Sequence, residues 1–119
     1  MEKHSTHLKG KKQEALVKSY LEKKGYLILR ENFRAKYGEI DLIGVDSNQP
    51  KPVLVFVEVR SASGRNDLLK YSLGVQKRNR FRKMVQYFVL SQKVRFTPIR
   101  CDVVWVMGDV IEHWTNVEI

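Results

Sequence analysis

Two acids stand where strands should be most apolar. Asp41 interrupts the run Gly-Glu-Ile-Asp-Leu-Ile-Gly-Val, and Glu58 interrupts Val-Leu-Val-Phe-Val-Glu-Val-Arg. A carboxylate among valines is costly unless something pairs with it, and a metal ion is one such partner. Arg60 follows Glu58 at a spacing of two, so both side chains leave the same face of a strand. If the two runs lie side by side, Asp41 and Glu58 can meet, and Glu14 can join them from a helix packed above. Clustered carboxylates raise one another's pKa. A hard divalent cation relieves that, and oxygen-only ligands suit Mg²⁺ or Mn²⁺ rather than zinc. Such an ion activates a water and neutralises charge on a phosphodiester. The simpler alternative for Glu58 and Arg60 is an ordinary ion pair on a half-exposed strand.

The elements that must position these residues can be read from periodicity. Residues 8–24 are strong helix formers, and Gly25 sits where a C-cap glycine should. Ala15, Leu16, Val17, Tyr20 and Leu21 form its apolar stripe. Glu14 lies at the edge of that stripe. It either points along the helix–sheet interface or sits in water beside Lys18, and periodicity alone favours the second. Strands are expected over 26–33 and 39–45, with Asp41 sharing a face with Ile43 and Val45 while Ile40 and Leu42 face the other way. The stretch 46–52 is turn chemistry. A third strand over 53–60 has Val53, Val55, Val57 and Val59 on one side and Leu54, Phe56, Glu58 and Arg60 on the other, which implies burial on both. Residues 61–74 read as a loop with one helical turn around Leu68 and Leu69. A second helix over 75–91 buries Phe81, Met84, Val85, Phe88 and Val89, and Thr97-Pro98 break the pattern after it. Strands over 99–107 and 110–114 are joined by the turn signal Gly108-Asp109. The order α-β-β-β-α-β-β predicts an α/β sandwich around a mixed sheet, one domain over 1–119 with 1–6 frayed.

Composition narrows the partners. Hydrophobic residues make up 43% and charged residues 29%, which fits a globular chain rather than a disordered one. The net charge of +9 favours polyanions, nucleic acid first among them. From Arg60 to Arg95 the only acid is Asp67, against Arg65, Lys70, Lys77, Arg78, Arg80, Arg82, Lys83 and Lys93. Lys77, Arg78, Arg80, Arg82 and Lys83 are the expected nucleic-acid-binding residues. Without interleaved aromatics on the polar side of the helix they form a phosphate rail, not a base-stacking platform. A membrane-surface role is disfavoured, because the helix needs its apolar face for the core. The single cysteine, Cys101, excludes an internal disulfide, suits a reducing cytoplasm and reads as a small buried hydrophobe. His4, His7 and His113 are too scattered for a zinc site. Asp102 is expected to pair with a neighbouring arginine. The first seven residues lack the apolar core of a signal peptide and no stretch is long enough to span a membrane, so a cytoplasmic location is expected.

The constellation also carries a resemblance. Asp41 followed by Glu58-Val59-Arg60 looks like the PD-(D/E)XK nuclease signature, with Arg60 in the lysine position. Over nearly its whole length the chain resembles the YraN family of small bacterial proteins. Its pieces are Gly10…Glu14-Ala15, Tyr20-Leu21…Gly25-Tyr26, Gly38-Glu39-Ile40-Asp41-Leu42-Ile43, Val55-Phe56-Val57-Glu58-Val59, Gln76-Lys77…Arg80 and Asp102-Val103-Val104. The resemblance implies a restriction-endonuclease-like α-β-β-β-α-β core and a metal-dependent nuclease acting on DNA, before RNA, in repair or recombination. Asp41, Glu58 and the Val59 carbonyl would hold Mg²⁺ or Mn²⁺, Glu14 would complete the site, and Gln76 would reach into it. Arg60 stays charged at any useful pH, so it can position a phosphate but not act as a general base. A non-catalytic nucleic-acid-binding protein that keeps the fold is therefore the alternative. Holliday-junction resolvases share the small size and the E…D…ExK order and act as dimers. For a homodimer here, Trp114, Val117 and Ile119 are the candidate exposed apolar residues.

Overall fold

The computed structural model describes residues 2–70, 74–94 and 98–119, with side chains from residue 10 onward. Arg95, Thr97 and the side chains of His4 and His7 lie outside the described residues. The elements are α1 (Glu2–Lys23), β1 (Tyr26–Ala35), β2 (Gly38–Asp46), β3 (Val53–Ser61), α2 (Arg65–Leu69), α3 (Val75–Ser91), β4 (Ile99–Met107) and β5 (Val110–Trp114). The expected order is present, and the helical turn around Leu68 is α2. The first helix starts earlier than its apolar stripe suggested. It ends where predicted: Gly25 turns left-handed at φ 92°, and Asn48 Nδ2 donates to the Lys24 carbonyl at 2.7 Å, satisfying an acceptor the helix leaves open.

The strands lie in the order β1-β2-β3-β4-β5. All neighbours are antiparallel except β3 and β4, which run parallel. The parallel pair requires a long crossover, and α2 and α3 supply it. Val17 and Leu21 of α1 pack on Leu42, Val55, Val57, Val104 and Val106. Met84, Val85 and Phe88 of α3 pack on Ile40, Ile43, Leu54, Phe56 and Cys101. The two helices thus cover opposite faces, as in a restriction-endonuclease-like core. The alternation expected along β3 holds on both sides.

The expected alternation along β2 does not hold. Ile40 packs with Ile43 and Val45 on the α3 face, while Leu42 faces α1. Two local features meet at this point, without a shift of the β1–β2 register. On β1, Asn32 adopts a left-handed φ of 52° and falls between the pairs Glu31↔Leu42 and Phe33↔Ile40. On the other side, β2 pairs with β3 only from Leu42↔Val57 onward. The first residues of β2 therefore part from β3, and Asp41 occupies the opening instead of sharing a face with Ile43 and Val45.

The C-terminal segment also differs from expectation. Trp114, Val117 and Ile119 are half-buried rather than exposed, because the chain folds back after β5. The Val117 N–H donates to the Cys101 carbonyl at 2.7 Å, and the Trp114 ring lies 5.4 Å from that of Trp105. Among the described residues no helix is long and apolar enough to cross a membrane.

Candidate functional site

A cleft of about 210 Å³ opens where β2 leaves β3, lined by Asp41, Glu39, Glu58, Lys77, Arg80 and Tyr37 among others. Asp41 forms its floor. Its Oδ2 accepts the Val59 N–H at 2.7 Å, closing a backbone donor that β2 no longer reaches. Burial pushes its carboxyl up to about 6; the Val59 bond opposes this, and the charges of Glu14, Glu58 and Glu39 add to it.

Glu14 does point along the helix–sheet interface. Carboxylate oxygens of Glu14, Glu39 and Asp41 lie within 4.8 Å of one another. Lys18, its alternative partner, is held by Glu31 at 2.9 Å. The amide of Asn32, turned so that both acids are satisfied, donates to Glu14 Oε2 at 2.9 Å and to Glu39 Oε1 at 2.8 Å. Burial raises the Glu14 pKa and the proximity of Glu39 adds to that, with the Asn32 bond offsetting part. The left-handed turn at Asn32 is what aims its side chain at both. Glu39 and Asn32 were not singled out from sequence, although Glu39 stands two residues before Asp41 and period-2 spacing places it on the same side.

Glu58 enters the same cleft with cations attached. Lys77 Nζ lies 2.7 Å from Glu58 Oε1, and Arg60 Nη1 donates to that oxygen at 3.4 Å. The Arg60 guanidinium lies over the Trp105 ring, 5.8 Å from its centre, and is not among the side chains lining the cleft. Of Val59, the N–H serves the site directly. Gln76 is exposed at the start of α3, outside the cleft lining, which the next residue, Lys77, joins. One turn on, Arg80 lines it too. Arg78 is half-buried, Arg82 is exposed, and Lys83 is exposed with its Nζ 5.6 Å from the centre of the Tyr37 ring. The basic helix thus borders the acidic floor, with Tyr37 from the β1–β2 turn facing it.

Asp102 serves a different purpose. Fully buried, it accepts Arg100 Nε at 2.9 Å and Nη2 at 3.0 Å, the Asn116 N–H at 3.0 Å and His113 Nε2 at 2.7 Å. Arg100 also reaches Asp46 at 3.0 Å and the Tyr26 hydroxyl at 2.6 Å. Burial alone would raise the Asp102 pKa, but His113, Arg100 and Asn116 together hold it below the usual carboxylate range. The expected arginine partner is Arg100. Cys101 is buried as expected, which pushes its thiol up to about 12.

The model of the uncharacterised protein family UPF0102 matches residues 13–106. A UPF0102 protein of Thermotoga petrophila is 36% identical over 107 residues, covering 90% of this chain and 94% of its own. One from Thermodesulfovibrio yellowstonii is 36% identical over 108 residues, covering 90% and 92%. A third, from Desulforamulus reducens, is 40% identical over 93 residues, covering 77% and 73%. The matched span includes every residue of the cleft.

Proposed function

The chain belongs to the UPF0102 family, the YraN family its motifs resemble, and we propose that it is a metal-dependent nuclease of the PD-(D/E)XK type. One observation carries this reading: Glu14, Glu39 and Asp41 converge within 4.8 Å, and two of them, Glu39 and Asp41, line a cleft that also holds Lys77 and Arg80. Three hard oxygen donors, drawn together although burial and mutual repulsion raise two of their pKa values, fit Mg²⁺ or Mn²⁺. These three acids would hold the ion, and when bound it would supply an activated water and neutralise phosphate charge.

The remaining roles belong to the chain itself. Lys77, fixed by Glu58, brings a compact positive charge beside the acids, suited to a phosphate oxygen. Arg80 and the outer side of α3 hold neighbouring phosphates and set the strand's position. Asp41 is kept in place by the Val59 N–H, so its carboxylate does not have to reorganise on binding. Hydrolysis joins a water oxygen to phosphorus and breaks the P–O bond to the leaving sugar oxygen, which departs with a proton. Arg60, stacked on Trp105, supports Glu58 at the rim.

The observation that favours a non-catalytic binder is the Glu58–Lys77 contact of 2.7 Å, which already neutralises one of the motif's acids. Incubation with labelled single-stranded, duplex and branched oligonucleotides in Mg²⁺ or Mn²⁺ separates the two. Cleavage that falls at least about a hundredfold in Asp41→Ala supports the enzyme, taking the loss of one transition-state contact as the scale. Cleavage that survives the substitution refutes the site. Binding without cleavage of any substrate leaves the non-catalytic protein.

A further inference from the structure

We propose that the cleft takes a nucleic-acid strand where a base is unpaired, and that Tyr37 stacks on that base. The proposal deepens the nucleic-acid reading above and rests on it. Tyr37 lies in the two-residue turn between Ala35 and Gly38, which pair across the β1–β2 hairpin. Such turns favour Asn, Asp or Gly, yet here Lys36 and Tyr37 occupy them, and the positive φ falls on Gly38 at 139°. Turn geometry therefore does not call for an aromatic at 37. The core beneath α3 takes part of the ring but leaves it half-exposed.

What surrounds the ring is the chemistry of the cleft. Tyr37 lines it together with Asp41, Glu58 and Lys77. Lys36 Nζ lies 5.1 Å and Lys83 Nζ 5.6 Å from the ring centre. One ammonium comes from the hairpin and the other from α3. Both are on long, flexible stems and can move to flanking phosphates when a base takes the ring face. An aromatic ring between cations is how single-strand binders hold a nucleotide: the ring takes the base and the cations take the backbone. α3 carries one exposed aromatic of its own, Tyr87, whose ring lies 6.0 Å from that of Phe33 and outside the cleft lining, so the tyrosine within the cleft is Tyr37 of the hairpin. In an intact duplex the base faces are stacked on one another and cannot reach Tyr37. The preferred substrate class is therefore single-stranded or flapped nucleic acid.

The test uses full-length protein with Ca²⁺ in place of Mg²⁺, and fluorescein-labelled single-stranded, flapped and duplex oligonucleotides of one sequence. The wild type should bind the unpaired forms about tenfold tighter than duplex, the scale of one base–aromatic stack. Tyr37→Ala should reduce that preference to less than about twofold with duplex affinity unchanged, and Tyr37→Trp should keep it. A 2-aminopurine at the unpaired position should be quenched by the wild type and Tyr37→Trp but not by Tyr37→Ala, with thermal melts confirming that each variant is folded. Equal quenching by wild type and Tyr37→Ala, or duplex bound as tightly as single strand, overturns the proposal. Cleavage is scored separately. A protein that stacks the base but cuts nothing retains this inference and loses the nuclease reading, whereas cleavage without a Tyr37 effect does the reverse.

Discussion

The backbone N–H of Val59 donates to Asp41 Oδ2 at 2.7 Å, so a side chain completes the ladder where β2 and β3 separate. That bond stabilises the carboxylate, but burial outweighs it and lifts the Asp41 pKa from 3.8 to about 6. The fold thus favours the protonated acid relative to the unfolded chain. The native state binds more protons between these two values, so Asp41 lowers stability as pH rises through the window and costs nothing below it. Asp41→Asn keeps an acceptor for Val59 and removes the charge. In EDTA at pH 7.5 the variant should be more stable than wild type by up to about 3 kcal/mol, from 1.36 kcal/mol per pKa unit. The gap should close near pH 4. Urea melts at both pH values check it, and a gap that does not change with pH sinks the idea.

Glu39 offers a second test because it was not expected from sequence. With its oxygens beside those of Glu14 and Asp41, Glu39→Gln should weaken Mn²⁺ binding by at least about tenfold, or 1.4 kcal/mol. Glu14→Gln should do the same. Titration calorimetry in the absence of nucleic acid reads this directly. If only Glu58→Gln weakens binding, the ion sits on the strand pair first inferred from sequence and not on the cluster around Asn32.

The contrast between Glu39 and the elements around it shows what the sequence displayed. The bounds of α3 follow from its 3.6 period along Met84, Val85 and Phe88, and those of β4 and β5 from the break at Pro98 and the turn Gly108-Asp109 between them, because packing and local pattern agree there. Asp41 and Glu58 were visible as acids in apolar runs. The parting of β2 from β3 before Leu42, and the left-handed Asn32 opposite it on β1, were not, because no spacing rule signals either. Glu14 likewise sat at the edge of its stripe, and its direction was settled by the Asn32 amide and by Glu31 taking Lys18. Arg60 was legible as a departure from the nuclease motif. Its place over Trp105, and the presence of Lys77 in the cleft, depend on long-range packing between strands and helix.

That placement leads to a third prediction. Lys77 lines the cleft and Arg60 does not, so the two cations should contribute unequally to cleavage. Lys77→Met should lower kcat about a hundredfold, the scale of one lost transition-state contact. Arg60→Met should cost less than about tenfold, chiefly by loosening Glu58. Single-turnover cleavage at saturating Mg²⁺ measures both. Equal losses would mean that the guanidinium leaves Trp105 for the cleft during the reaction.

The Asp102 network is the part of this face whose role is stability. Asp102 is 1% exposed and joins Arg100 and His113 of β4 and β5 to the chain after β5 through Asn116. Arg100 extends the network to Asp46 and Tyr26 on β2 and β1. Removing one partner of a buried pair strands the other, so Asp102→Ala should cost about 3–5 kcal/mol. The pH dependence has the opposite sign to that of Asp41. Asp102 and Asp46 both have depressed pKa values, so the stability they confer is fully present above the ordinary aspartate range and is lost as pH falls through it. Acid unfolding should therefore be flatter in Asp102→Ala than in wild type below about pH 4, while Mn²⁺ affinity at pH 7.5 stays within about twofold, because the network does not touch the acidic cluster. Urea melts across pH and calorimetry on the same variant decide it. A large loss of metal affinity with little loss of stability would move Asp102 from the scaffold to the site.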